Sequence, residues 1–152
     1  MARSMRLVMI TLCCAAAVWA ADAAVGTWKL NLAKSKYRPG PPPRSQTRVY
    51  REAPDGVKAT VTTVNPDGEM YIEEYPSNYD GVEHAVKGDP YLDGIIMKKV
   101  DDFTAESTLI HGEVVIGTAK RTVSPDGKTM TITYQGTLGG EKVNNIAVYE
   151  RQ

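Results

Sequence analysis

Val25-Gly26-Thr27-Trp28-Lys29-Leu30-Asn31 is the stretch that decides the fold. It is a short β-prone run around a single indole, and nothing after it shows a sustained helical period. A side chain as large and apolar as indole is costly to leave in water, which predicts that Trp28 plugs one end of a closed antiparallel barrel starting at this strand.

Downstream, Leu32 to Arg44 contains Pro39-Gly40-Pro41-Pro42-Pro43. Three consecutive prolines can neither continue a helix nor sit in a central strand. The segment reads as one helical turn at most, followed either by a plain linker or by an extended crossing of the barrel mouth. From Gln46 onward the chain alternates with period two between turn residues. The runs are Gln46–Glu52, Val57–Thr63, Met70–Tyr75, Val82–Lys87, Gly94–Val100, Phe103–Ile110, Glu113–Val123, Thr129–Gln135 and Val143–Arg151. Pro-Asp-Gly at 54, 66 and 125 supplies tight hairpin turns, because Asp tolerates the left-handed region and Gly takes it freely. With the Trp28 strand this predicts an all-β fold, an antiparallel up-and-down meander of about ten strands closed into a barrel that hides its edges.

Upstream, Arg3 and Arg6 precede the apolar run Leu7–Ala17, which is shorter than the ~20 residues a membrane-crossing helix needs. Small residues at the −3 and −1 positions end at Ala20 and again at Ala23. Residues 1–23 are therefore expected to be a signal peptide and 24–152 one domain, secreted or periplasmic. Cys13 and Cys14 lie within that leader, where a lipoprotein signal is a weaker alternative, and the rest of the chain has no cysteine. That leaves neither a disulfide, nor a thiol nucleophile, nor a thiolate metal site after cleavage. The chain's 18 Lys and Arg match its 18 Asp and Glu, so no electrostatic argument favours nucleic acid or an anionic membrane as partner. No other run is apolar enough to be a transmembrane segment.

Gly26-Thr27-Trp28-Lys29-Leu30 resembles the Gly-x-Trp opening of the calycins, the lipocalins and the intracellular fatty-acid-binding proteins. Lys120-Arg121-Thr122, Asp126-Gly127-Lys128 and Asn145-Ile146-Ala147-Val148-Tyr149-Glu150-Arg151 are similar to the last three strands of the fatty-acid-binding branch. The chain also looks like small secreted bacterial proteins described as lipocalin-like. The resemblance implies a barrel that holds a ligand's carboxylate with an arginine of the third-last strand and an Arg-x-Tyr of the last. Arg121 and Tyr149 match two of those positions. Ala147 stands where the other arginine would be, removing a charged donor worth ~1.5–3 kcal/mol. The carry-over puts Arg121, Ala147 and Asn145 inside with Tyr149. Apolar patterning alone chooses the opposite face on both strands, and a one-residue slip exchanges the two.

Other chemistry is sparse. His84 lies between Val82 and Val86, His111 sits at a hairpin tip, and their spacing suits no metal site. Glu73 and Glu74 alternate on a strand and cannot act as a close pair. No cofactor is implied and no catalytic residue is assigned. The leading expectation is a binder of a small hydrophobic or amphipathic ligand. Arg121 and Tyr149 would anchor a polar group, and Tyr75, His84 and Met97 would contribute to the wall. The alternatives are a barrel with a protein partner, such as a periplasmic protease or lysozyme inhibitor with a packed interior, and a cofactor-free isomerase or cyclase using His84 or a tyrosine.

Overall fold

The computed structural model describes residues 21–152. The expected leader falls on 1–20, outside the described residues, and on 21–23. Ten strands form one antiparallel sheet: β1 Gly26–Leu30, β2 Ser45–Ala53, β3 Gly56–Val64, β4 Met70–Ser77, β5 Asp80–Ala85, β6 Gly94–Lys99, β7 Thr104–His111, β8 Val114–Val123, β9 Thr129–Leu138 and β10 Glu141–Arg151. Their order is β4-β3-β2-β1-β10-β9-β8-β7-β6-β5, a meander in which the first strand pairs with the last. The all-β meander read from the sequence is the observed fold. Among the described residues the helical content is one 3-10 turn, Leu32–Lys34.

The sheet is a nearly closed barrel, and its seam lies between β4 and β5. These neighbours in sequence share one reciprocal bridge, in which Glu74 N–H donates to Lys87 O and Lys87 N–H to Glu74 O, each at 2.9 Å. Gly88 follows at once with φ +84° and packs against the Ile72 carbonyl, where a Cβ would collide with backbone. A left-handed residue with no side chain is what lets the chain come close enough to close the seam.

Trp28 closes the floor. It is fully buried, and its Nε1–H donates to Ala24 O at 2.7 Å. Across the β1–β10 pair the Arg151 guanidinium lies 4.2 Å from the indole centroid. That guanidinium also donates to Gly127 O (2.5 Å), Val25 O (2.7 Å) and Ala23 O (2.9 Å). Met130, Val123, Val57 and Ser77 complete a dry floor. Asp22, on the leader side of Ala23, reaches Lys99 at 3.7 Å.

At the other end the proline-rich segment borders the mouth. Lys36 bridges to Ile146, and Asn144 N–H donates to Arg38 O at 2.8 Å, so residues 36–38 are tied to β10. Pro39, Gly40, Pro41 and Pro43 then line the cavity rim, which makes this stretch a crossing rather than a free linker.

The indole seal supports a direct test. Trp28→Ala is expected to cost about 3–5 kcal/mol in urea denaturation, through lost burial and an unfilled hole at the floor. A loss below about 1 kcal/mol would show that the ring does not plug the barrel.

Candidate functional site

The lumen is a cavity of about 560 Å³, within the range of small-molecule sites. Its wall comes from alternate residues of the strands. Strand β2 contributes Gln46, Arg48 and Tyr50, β4 contributes Tyr71, Glu73 and Tyr75, and β6 contributes Ile95 and Met97. Strand β8 adds Ile116, Ala119 and Arg121, β9 adds Ile132 and Tyr134, and β10 adds Val143, Asn145, Ala147 and Tyr149. It is an aromatic and polar lining with apolar patches.

Pairing explains which face turns inward. Directly opposed residues of an antiparallel pair share a face. Trp28 opposes Arg48, Leu30 opposes Tyr149, and Ala147, Ile132 and Arg121 stand in register across β10, β9 and β8. Once the indole points inward, these residues follow. The apolar residues that patterning would have buried, Ile72 and Ile146 among them, lie outside. In β8 a bulge resolves part of the conflict. Leu109 pairs with Gly117 and Ile110 with Val115, which leaves Ile116 as the extra residue. Ile116 reaches the cavity wall while Val115 is 60% exposed.

Arg121 is 6% exposed and sits one inward position from the floor residue Val123. Its Nη2 donates to the Tyr79 hydroxyl, and its guanidinium carbon lies 4.9 Å from the Tyr50 ring centroid and 5.6 Å from that of Tyr79. Its Nε and Nη1 are buried with no hydrogen-bond partner. Tyr79 holds its place from a left-handed backbone, φ 54°, which is unusual for an aromatic residue.

Arg48 is a charged cavity-lining residue that sequence reading missed. Its accessible surface is cavity wall. Nε donates to Gln46 Oε1 at 3.2 Å, and Nη1 to the Tyr75 and Tyr50 hydroxyls at 3.4 and 3.5 Å. Its guanidinium carbon is 5.3 Å from the Tyr149 centroid. The Tyr149 hydroxyl donates to the same Gln46 Oε1. Ala147 is inward and carries no donor, so the second cation near Tyr149 comes from β2 rather than from β10. The signal that could have found Arg48 is its direct opposition to Trp28.

Comparison with protein-family profiles, curated proteins and solved structures gave no match. The site therefore rests on its own geometry. Tyr75 and Met97 lie on the wall and are buried, and Met97 Sδ accepts from Ser77 Oγ at 3.0 Å. His84 does not join them. It is on β5, its Nε2 is 2.8 Å from Asp80 Oδ2, and it is absent from the cavity lining. A carboxylate four residues away on the same strand captures the ring, across a register shift between Asp80 and Glu83 that breaks the regular extension of β5. Among the described residues no cluster of His, Cys, Asp and Glu has metal-site geometry, and no helix is long and apolar enough to cross a membrane.

Arg48 and Arg121 are permanently protonated, and among the described residues neither has a carboxylate oxygen within 4.0 Å. Three carboxyls line the cavity: Glu73, which is 6% exposed, half-buried Asp89, and exposed Glu141. Burial pushes the Glu73 pKa up to about 8. Arg48 pulls it down, and the charge and hydrogen bonding of neighbouring Asp89 push it up. At neutral pH Glu73 is mostly an uncharged acid and does not balance the guanidinium groups. Burial also pushes the Tyr50 phenol up, but Arg48 and Arg121 outweigh it and hold the phenol below its ordinary value. The lumen can therefore receive negative charge, and its phenols and Gln46 can orient it.

Glu73 gives a pH prediction. Between its ordinary value of 4.5 and its folded value of about 8, the unfolded chain has lost a proton that the folded chain keeps. Unfolding then releases a proton, so this contribution to stability is complete below the lower value and is lost progressively as pH rises through the window. Urea midpoints of the ligand-free protein are expected to fall across it, and Glu73→Gln is expected to flatten the fall. An equal decline in the variant would contradict this assignment.

Proposed function

We propose that the chain is a lipocalin-like barrel that binds a small, partly apolar, negatively charged molecule in its lumen without transforming it. The observation that carries this reading is Arg121, a buried guanidinium with two nitrogens unpartnered, at the inner end of a cavity of about 560 Å³. Leaving such donors buried without acceptors is costly. A carboxylate, sulfate or phosphate group reaching the floor would satisfy them, as the calycin resemblance implies for Arg121 and Tyr149. Arg48, seated by Tyr149, supplies the second cation that Ala147 does not. The apolar remainder of such a ligand would lie against Ile95, Met97, Leu109, Ile116 and Ile132. The leader features point to a secreted or periplasmic setting.

The cavity weighs against a packed inhibitor barrel acting only through its loops. His84, bonded to Asp80 away from the lumen, gives no support to an isomerase or cyclase reading.

Displacement of a fluorescent apolar probe tests the proposal. Dodecanoate is expected to displace it at about tenfold lower concentration than dodecanol. Arg121→Gln is expected to weaken dodecanoate by about one to two decades and to leave dodecanol unchanged. Equal affinity of acid and alcohol for the natural protein would contradict a charge-recognising floor.

A further inference from the structure

We propose that the ligand of this cavity carries two separated anionic groups, one seated on Arg121 near the floor and the other on Arg48 across the lumen. This rests on the reading of the lumen as an anion-binding cavity and adds the charge pattern of what it binds.

The two cations come from different walls. Arg48 is on β2 and Arg121 on β8, four positions apart around a ten-stranded sheet. They meet one phenol, Tyr50, in different places. Arg48 Nη1 lies 3.5 Å from its hydroxyl, whereas Arg121 lies over the ring, 4.9 Å from the centroid. They also keep different company: Arg48 sits with Gln46, Tyr75 and Tyr149, and Arg121 with Tyr79. Apart from the shared Tyr50, the two guanidinium groups have separate partners and come from separate strands.

Each lacks a counter-charge. A guanidinium has five N–H donors. Those of Arg121 find one acceptor, the Tyr79 hydroxyl, while Nε and Nη1 have none. Those of Arg48 are met by an amide oxygen and two phenols, all neutral acceptors, and the phenol contacts are long. Glu73 lines the same wall but forms no ion pair with Arg48 within 4.0 Å. An unpaired charge in a buried site is costly, and an anion seated on Arg121 alone would leave Arg48 unpaired. A molecule with an anionic group at each end of an apolar spacer pairs both. Its class is an α,ω-dicarboxylate or a chain with equivalent acidic ends.

Isothermal titration of the natural protein with α,ω-dicarboxylates from adipate to dodecanedioate tests this. The comparisons are monocarboxylates of the same carbon count and an alkyl phosphate, which concentrates its charge on one head. At least one dicarboxylate is expected to bind about tenfold or more tighter than its matched monocarboxylate and the alkyl phosphate. Arg48→Gln and Arg121→Gln are each expected to abolish that preference while a neutral fluorescent apolar probe still binds. Monocarboxylates or the alkyl phosphate binding as tightly as every dicarboxylate would overturn the two-anion proposal and leave the anion-binding cavity standing. Failure of both carboxylate series where a neutral apolar probe binds would overturn charge recognition altogether. Failure of the neutral probe as well would overturn the cavity reading itself.

Discussion

A barrel can hold a solvent-excluded lumen only if one end is sealed, and here one indole does the sealing. Trp28 lies flat in the floor, its N–H is satisfied by Ala24 O, and Arg151 covers its face. The arginine does more than stack. By donating to Gly127 O, Val25 O and Ala23 O it fixes the β9 approach and the N-terminal segment against the same ring. It therefore ties three backbone carbonyls of separate segments together at the sheet's end. The seal also sets the inside of the barrel. With Trp28 inward, strand pairing carries Arg48 into the lumen from one side and Arg151 over the floor from the other.

The interior that results departs from an ordinary protein core. Two guanidinium groups, three carboxyls and a set of phenols line a space of about 560 Å³. The surrounding aromatic faces and phenol oxygens stabilise the cations without neutralising them. Arg48 and Arg121 hydrogen-bond to neutral acceptors, while the carboxyls on the wall, Glu73, Asp89 and Glu141, have no oxygen within 4.0 Å of either guanidinium. Net charge does not show where charges sit, and here two guanidinium groups are turned inward without ion partners.

The same inversion sets how far the sequence could be read. Turn chemistry made the strands and their order legible. Pro-Asp-Gly at three hairpins and period-two runs between them led to the observed ten-strand meander, and Gly-x-Trp marked its floor. The lining was harder, because amphipathic patterning assumes that the apolar face is the inside. In a barrel with a polar lumen that assumption reverses, so Ile72 and Ile146 face outward while Glu73 and Asn145 line the cavity. The β8 bulge at Ile116 adds a shift of phase that no strict alternation can express. Arg48 was overlooked because an arginine between Thr47 and Val49 looks like a solvated strand residue. His84 was overvalued because nothing in its neighbours shows that a register shift within β5 leaves Asp80 against its ring.

The central claim is that the lumen is completed by a negatively charged small molecule. Native mass spectrometry of the protein purified from its own host, before and after denaturation, measures this most directly. The account predicts an adduct that is lost on unfolding and is recovered in the supernatant as an acidic organic molecule. A protein that runs at its bare polypeptide mass under gentle conditions, with no acidic molecule released, would contradict it.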